Sequence, residues 1–286
     1  MKFYILGASG FMGSRCVEYL KSQKQTVFNE RVDVTDLPAL KKAFRATRPD
    51  VVINFAGVRA YPNIDWCEDH KEETIRVNVV GAINTMLATI EIGAYPIQIS
   101  TGCIYVGGIT KKFTEEDDPN FFGSFYSRMR IVLQNALKEL PVLLVRIRMP
   151  ISAYSHPRNF INKIVSYKKV ISVSNSVTLV EDLFPALLKL SKLKTLGILN
   201  ITNDGYLKHK EVLAAYKKIV DPNHKYEPIS LKQLEKNITK AGRSNCILDN
   251  SKAKSLGLSL PALDKTRLEK LMRIYKKSLA QNNQKS

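Results

Sequence analysis

The stretch Lys2-Phe3-Tyr4-Ile5-Leu6-Gly7-Ala8-Ser9-Gly10-Phe11-Met12-Gly13 decides the fold. The apolar run from Phe3 to Leu6 is long enough for a short buried strand and too short for the apolar core of a secretion signal. It leads into glycines spaced GxxGxxG, and from Ser14 to Lys24 apolar residues return at helical spacing. Strand, glycine turn and helix in that order let a pyrophosphate lie against free amides at the helix start, because glycine permits a tight turn and close approach of the backbone. Gly7, Ser9, Gly10, Phe11, Met12 and Gly13 are therefore candidate dinucleotide contacts.

The pattern repeats downstream. A strand at Thr26 to Phe28 precedes a helix from Asp36 to Thr47, capped by Thr35 or Asp36. Asp50 to Phe55 reads as a strand, Glu72 to Gly93 as a long helix and Tyr95 to Ser100 as a strand. A helix from Phe125 to Leu140 leads into Val142 to Ile147, whose unbroken apolar character suits a strand buried on both faces. Alternating strands and helices predict an α/β fold, a Rossmann-type doubly wound parallel sheet. After Pro150 the alternation weakens to helices near Asn159 to Tyr167 and Glu181 to Leu193, a strand at Ile198 to Thr202, and then mainly helices before a polar tail, 281–286, expected to fray. The reading is a dinucleotide-binding domain over 1–150, completed by roughly 170–204, with 151–286 mainly a smaller, mostly helical substrate-binding region.

With 44% hydrophobic and 24% charged residues the chain has an ordinary globular composition. No apolar run approaches the roughly 20 residues that span a bilayer, so no membrane role is expected and the predicted location is the cytoplasm, that of a host if the chain is viral. Cys16, Cys67, Cys103 and Cys246 form no CxxC pair, which argues against a zinc site or a disulfide framework. A net charge of +18 raises nucleic-acid binding. The basic residues are nevertheless spread along the chain, with only short clusters such as Lys111-Lys112 and Lys168-Lys169, and a positive field that attracts anionic small molecules explains them more simply. No nucleic-acid partner is expected.

After the second strand comes Asn29-Glu30-Arg31-Val32-Asp33. An acidic residue there would bond ribose hydroxyls and an arginine would accommodate a 2′-phosphate, so Arg31 favours NADPH while Glu30 and Asp33 leave NADH open. Tyr126 and Arg130 are four residues apart on one helix face. The pair resembles the YxxxK of the short-chain dehydrogenase/reductase superfamily, which implies that Tyr126 exchanges the proton at a carbonyl oxygen and that residue 130 binds the nicotinamide ribose. Arginine here supplies permanent charge but does not shed its proton as lysine does. The superfamily's Ser or Thr would be Thr101, at the carboxyl end of a buried strand where chemistry collects in open parallel sheets, with Ser100 as the alternative.

The segment Thr101-Gly102-Cys103-Ile104-Tyr105 lacks the Asp-Glu that follows the threonine in sugar-nucleotide 4,6-dehydratases. It is similar instead to bifunctional epimerase/reductases, in which the cysteine is an epimerisation acid/base. Pro62 to Glu68 (PNIDWCE), Glu73 to Gly81, Gly123 to Ser127, Val145 to Ser152 (VRIRMPIS), Pro157 to Ile161 and Gly242 to Asn245 extend the likeness over almost the whole chain. The chain thus resembles the UDP-4-keto-6-deoxyglucose 3,5-epimerase/4-reductases of UDP-rhamnose synthesis. The resemblance implies that Cys103 and Lys163 act as partners at C3 and C5, and that Asn63, Trp66, Arg158, Asn159 and Arg243 contact substrate. It places Asn78 beside the nicotinamide and Phe55-Ala56-Gly57 close to the cofactor. A separate 4,6-dehydratase would supply the ketone, and a homodimer is left open. Two rivals remain at this stage: a monofunctional dTDP-4-dehydrorhamnose-type reductase, and a non-catalytic NADP-sensing protein.

Overall fold

The computed structural model describes residues 1–58, 60 and 62–283. Strands β1 (Lys2–Leu6), β2 (Thr26–Phe28), β3 (Val51–Asn54), β4 (Tyr95–Thr101), β5 (Leu143–Ile147) and β6 (Gly197–Asn200) form one sheet in the order β2-β1-β3-β4-β5-β6. Every pairing in it is parallel. The order reverses direction at β1, so the crevice beyond the carboxyl ends of β1 and β3 is the switch point at which such sheets bind ligands. The elements expected up to residue 202 are all present, with ends moved by three residues or fewer.

Alternate residues of each strand point to opposite faces. Phe3, Ile5, Val51, Ile53, Ile97, Ile99, Leu143 and Val145 pack on one face with helix α1 (Phe11–Ser22) and the helix Val180–Leu193. Tyr4, Leu6 and Val52 pack on the other with Leu40, Phe44 and Ala88, from helix α2 (Leu37–Thr47) and helix α3 (71–91). Asp36 caps α2 by accepting from Ala39 N at 2.9 Å. Helix α3 is not uniform: between Lys71–Ile75 and Ala82–Glu91 lies a π-helical turn, Arg76–Gly81, which carries Asn78. Helix α4 (Phe125–Leu137) starts at Ser124, whose hydroxyl accepts from Ser127 N at 3.1 Å.

A separate core joins the helices Phe160–Ser166, His209–Ile219 and Lys265–Asn283 through Ile161, Ile164, Val212, Leu213, Leu268, Met272 and Tyr275. The last helix takes in residues 281–283, part of the tail expected to fray, while 284–286 lie outside the described residues. Among the described residues no helix is long and apolar enough to cross a membrane. Four short strand pairs were not anticipated: Lys112–Phe113 with Ile247–Leu248, Pro150–Ile151 with Thr178–Leu179, Lys169–Ile171 with Glu227–Ile229, and Ser174–Asn175 with Leu207–Lys208. The first, second and fourth tie the carboxyl-terminal region to segments that follow strands of the sheet, and the third joins two segments of that region to each other.

His209 opens the helix His209–Ile219 and meets the Phe160 ring edge-on at 5.3 Å between centroids. Burial, with a smaller push from Arg148, outweighs a backbone bond at Val173 and brings its pKa down to about 4. Because the unfolded chain takes up that proton first, near pH 6.5, stability is complete above that pH and is lost as pH falls toward 4, by about 3 kcal/mol for this group. Thermal melts between pH 7 and 4.5 are expected to show this slope, and His209→Phe to flatten it; an equal slope in the variant would assign the acid sensitivity elsewhere.

Candidate active site

The glycine turn is built as its spacing requires. Gly10 N donates to Gly7 O at 2.9 Å, and Gly7 has φ +71°, which glycine adopts without strain. A Cβ on Gly7 would lie 2.7 Å from Ala56 N, and one on Gly13 would lie 2.2 Å from Gly7 O. The turn therefore packs directly on the loop after β3. Helix α1 has no side-chain cap and no acidic residue in its first turn, so its first amides and positive dipole end are available to an anion. Phe11 is buried and stacks on His156 at 4.9 Å, Met12 is half-buried and Ser9 is exposed. Gly13→Ala forces backbone apart and is expected to cost about 1–3 kcal/mol, lowering Tm and weakening dinucleotide binding. Gly108→Ala, where a Cβ meets only Thr110 Oγ1 at 3.9 Å, serves as the control in the same melts and titrations.

Next to the turn, Ala56 N donates to Asn54 Oδ1 at 2.9 Å, and Val58 N donates to Asn78 Oδ1 at 3.0 Å. The π-helical turn thus holds Asn78 against the loop after β3, with Phe55 half-buried in the adjoining core. Gly57 leaves room there: a Cβ on it would lie 3.1 Å from Asn78 Oδ1 and 3.5 Å from Arg130 Nη2. Arg130 is 9% exposed, and its guanidinium carbon lies 5.2 Å from the centroid of the Tyr126 ring. Its Nε and Nη1 are buried and have no hydrogen-bond partner among the described residues. A buried cation with unmet donors is costly unless something binds it. The first turn of α1, Gly57, Asn78 and Arg130 together fit an anionic dinucleotide.

Cys103 sits in the middle of the catalytic candidates. Its amide donates to Thr101 Oγ1 at 3.0 Å, and its carbonyl accepts from Ser127 Oγ, the neighbour of Tyr126, at 2.5 Å. Thr101 is 7% exposed at the end of β4. Ser100 is also buried and stands in register with Arg146 on β5. Of the four cysteines only Cys103 is partly exposed. Lys163 lies in the helix Phe160–Ser166, where burial first, and then Arg158, hold its ammonium below the ordinary lysine range, while Cys103 pulls the other way. Thr101, Cys103, Tyr126, Arg130 and Lys163 are thus brought to one locality.

The remaining candidates are arranged around it. Glu68 Oε1 accepts from Phe125 N at 2.6 Å, tying the segment that holds Asn63 and Trp66 to the start of α4. Trp66 stacks on His70 at 3.9 Å. Arg243 forms a bidentate pair with Asp65 at 2.9 and 3.0 Å, and its Nη2 also donates to Asn63 Oδ1 at 3.2 Å. Asn159 is fully buried: its Nδ2 donates to Ser152 O and Tyr154 O, both at 2.8 Å, and its Oδ1 caps the following helix through Ile161 N at 3.3 Å. Its side chain thereby shapes the loop that carries Arg158, which is partly buried. Arg31 is exposed beyond β2. Asp33 is held below the usual carboxylate range by the amide and hydroxyl of Thr35, which donate to one of its oxygens at 2.9 and 2.8 Å.

Sequence reading gave no role to Arg148, which the structure puts in contact with Cys103. It is 4% exposed, and its Nη1 donates to Cys103 Sγ. Its Nε and Nη2 donate to Asn175 Oδ1 at 3.2 and 2.6 Å, and Nη2 also reaches Ser244 O. Burial works against its charge, but the charge and hydrogen bond of Cys103, with the charges of Cys246 and Tyr126, outweigh it and hold its pKa above the ordinary arginine value. A signal was present: Arg146 and Arg148 alternate at the end of a strand too apolar to face water, so both had to be buried and partnered. Among the described residues no group of three or more His, Cys, Asp or Glu is arranged to hold a metal ion.

Residues 1–276 match the model of the RmlD substrate binding domain family. The chain is 38% identical over 260 residues to a trifunctional UDP-glucose 4,6-dehydratase/UDP-4-keto-6-deoxy-D-glucose 3,5-epimerase/UDP-4-keto-L-rhamnose-reductase of Arabidopsis thaliana, covering 88% of this chain and 39% of that protein. It therefore spans about two fifths of the length of such relatives. A bifunctional dTDP-4-dehydrorhamnose 3,5-epimerase/dTDP-4-dehydrorhamnose reductase of Arabidopsis thaliana is 37% identical over 261 residues, covering 88% of this chain and 86% of that one. The crystal structure of the L780 UDP-rhamnose synthase from Acanthamoeba polyphaga mimivirus superposes with a TM-score of 0.89 at 32% identity, covering 96% of this chain and 99% of that one. The glycine turn, the parallel sheet and the match over nearly the full length lead to one conclusion: this chain belongs to the RmlD substrate binding domain family.

Proposed function

We propose that the chain is a bifunctional 3,5-epimerase and NADPH-dependent 4-keto reductase that converts UDP-4-keto-6-deoxyglucose to UDP-rhamnose. The observation that carries the reading is the position of Cys103, bonded to Thr101 and to the neighbour of Tyr126, with Lys163 close enough to feel its charge. The names of the relatives at 37–38% identity support it. In this reading a 4,6-dehydratase supplies the ketone, and much of 151–286, outside the strand that completes the sheet, forms the substrate region.

The ketone at C4 acidifies the protons on C3 and C5. Cys103 and Lys163 remove and return those protons from opposite sides of the ring, while Thr101 and Tyr126 hold the electron pair that moves onto the C4 oxygen. A lysine held below its usual range exchanges protons more readily near neutral pH. The glycine turn with Asn78 and Arg130 would hold NADPH, which would supply a hydride for C4. Tyr126 then protonates the C4 oxygen, and Arg130 orients the ribose through its unmet donors. The same oxygen-stabilising pair serves both steps. Arg31 would receive the 2′-phosphate, a choice favoured by the engagement of Asp33 with Thr35. Asn63, Trp66, Arg158 and Arg243 would line the nucleotide-sugar, with Asp65 holding the Arg243 fork in place for the diphosphate.

The test is turnover of UDP- and dTDP-4-keto-6-deoxyglucose with NADPH, the product sugar being identified by NMR, and a parallel incubation in deuterated buffer without NADPH. The reading expects UDP-rhamnose, and deuterium at C3 and C5. Reduction without exchange would reduce the enzyme to a monofunctional reductase, and no loss of NADPH absorbance with either sugar would end the catalytic reading.

A further inference from the structure

We infer that Arg148 is a positioning residue for epimerisation, pairing its buried guanidinium with the Cys103 sulfur so that the thiolate is held as the proton acceptor. The inference rests on the epimerase reading and adds to it a residue that touches the reacting sulfur rather than the sugar.

Three features of the arrangement support it. First, the arginine is immobile. Arg148 N donates to Thr178 Oγ1 at 3.1 Å, its carbonyl accepts from Thr178 N at 2.7 Å, and Met149 follows with φ +38°, so the backbone is clamped where β5 ends. Second, the fork is aimed. Asn175 Oδ1 and Ser244 O take Nε and Nη2, leaving Nη1 for Cys103 Sγ. Asn175 is itself fixed: its Oδ1 accepts from Cys246 N at 3.0 Å and its Nδ2 donates to Asn245 Oδ1 at 3.1 Å. Third, no carboxylate is among the partners of Arg148 or the groups acting on it in the described residues. A buried cation needs a counter-charge, and the ionisable groups acting on it are Cys103, Cys246, Tyr126 and, from the helix behind, His209. Cys246 is fully buried, with its sulfur directed to Gly102 O at 3.3 Å. Cys103 is thus the thiol that both meets the guanidinium and remains open to a ligand.

During proton transfer the substrate C–H bond breaks, an S–H bond forms on Cys103 and the electron pair passes to the C4 oxygen. Arg148 keeps its proton throughout. Lys163 also interacts with Cys103 through its charge, and Arg158 acts in turn on that lysine.

The test is alkylation of Cys103 by iodoacetamide, in which the thiolate displaces iodide, followed by peptide mass spectrometry across pH 6 to 10. Arg148→Gln keeps hydrogen-bonding capacity and removes the charge. Its Cys103 alkylation rate at pH 7 is expected to fall about tenfold, with the profile displaced upward by about one pH unit, the shift that a change of 1.4 kcal/mol in the thiolate would produce. Asn175→Asp, which sets a carboxylate against the same fork, is expected to move the profile the same way and carries the test if the glutamine variant does not fold. An unmoved profile in either folded variant overturns the inference. The assay needs no sugar, so the two readings separate: a displaced profile in a protein that shows no exchange at C3 and C5 keeps the pairing and rejects the epimerase, whereas exchange with an unmoved profile does the reverse.

Discussion

Tyr126→Phe is expected to lower the rate of NADPH consumption by about 10²–10⁴-fold, the range for removal of a positioned general acid. The ring remains, and with it the contact to Arg130 at 5.2 Å, so the affinity for NADPH should change by no more than about twofold on the scale of weak cation–π losses. Deuterium exchange at C3 and C5 should slow as well, because the same hydroxyl steadies the enolate. Stopped-flow reduction and NMR exchange measure the two effects on one protein sample. A phenylalanine enzyme that keeps a tenth of the reduction rate would remove Tyr126 from the chemistry.

The second large effect is expected from Cys103→Ser. Serine keeps the backbone bond to Thr101 and fits against Arg148, but its hydroxyl does not ionise near neutral pH. Exchange at C3 and C5 should drop by about 10²–10⁴-fold, whereas reduction of a 4-keto sugar already inverted at both carbons should continue at close to the parent rate. Offering both sugars to the variant separates the two activities. Equal loss with both would make Cys103 a structural residue of the pocket.

The sheet was legible because its signals are local. Glycine spacing, the Asp36 cap and the apolar runs of β1, β4 and β5 each lie within a few residues of chain. Thr101 could be read from its place at the end of β4, and Tyr126 and Cys103 from motifs equally local, Tyr126 with Arg130 four residues on and the run Thr101–Tyr105. What the sequence withheld depends on distant partners. The pairing of Lys112–Phe113 with Ile247–Leu248 has no periodicity to detect, being two residues on each side. The contacts of Arg148 come from Asn175 and Ser244, and neither side chain signals its destination. Asn159 carried a readable second meaning. An asparagine just before the apolar run Phe160-Ile161 is also a helix cap, and that is the bond the structure shows.

The π-helical turn at Arg76–Gly81 has a consequence for mutation by length rather than by side chain. Such a turn holds one residue more than an α-helical ladder requires, and each residue advances a helix by about 100°. Deleting a single position there would let the ladder close and make the helix more regular. Asn78 would then rotate off the Val58 amide, and the wall facing Gly57 and Arg130 would lose its amide oxygen. A shortened protein of this kind should melt no lower than its parent and yet fail to hold the dinucleotide, which makes the irregularity a fitting that local regularity would erase.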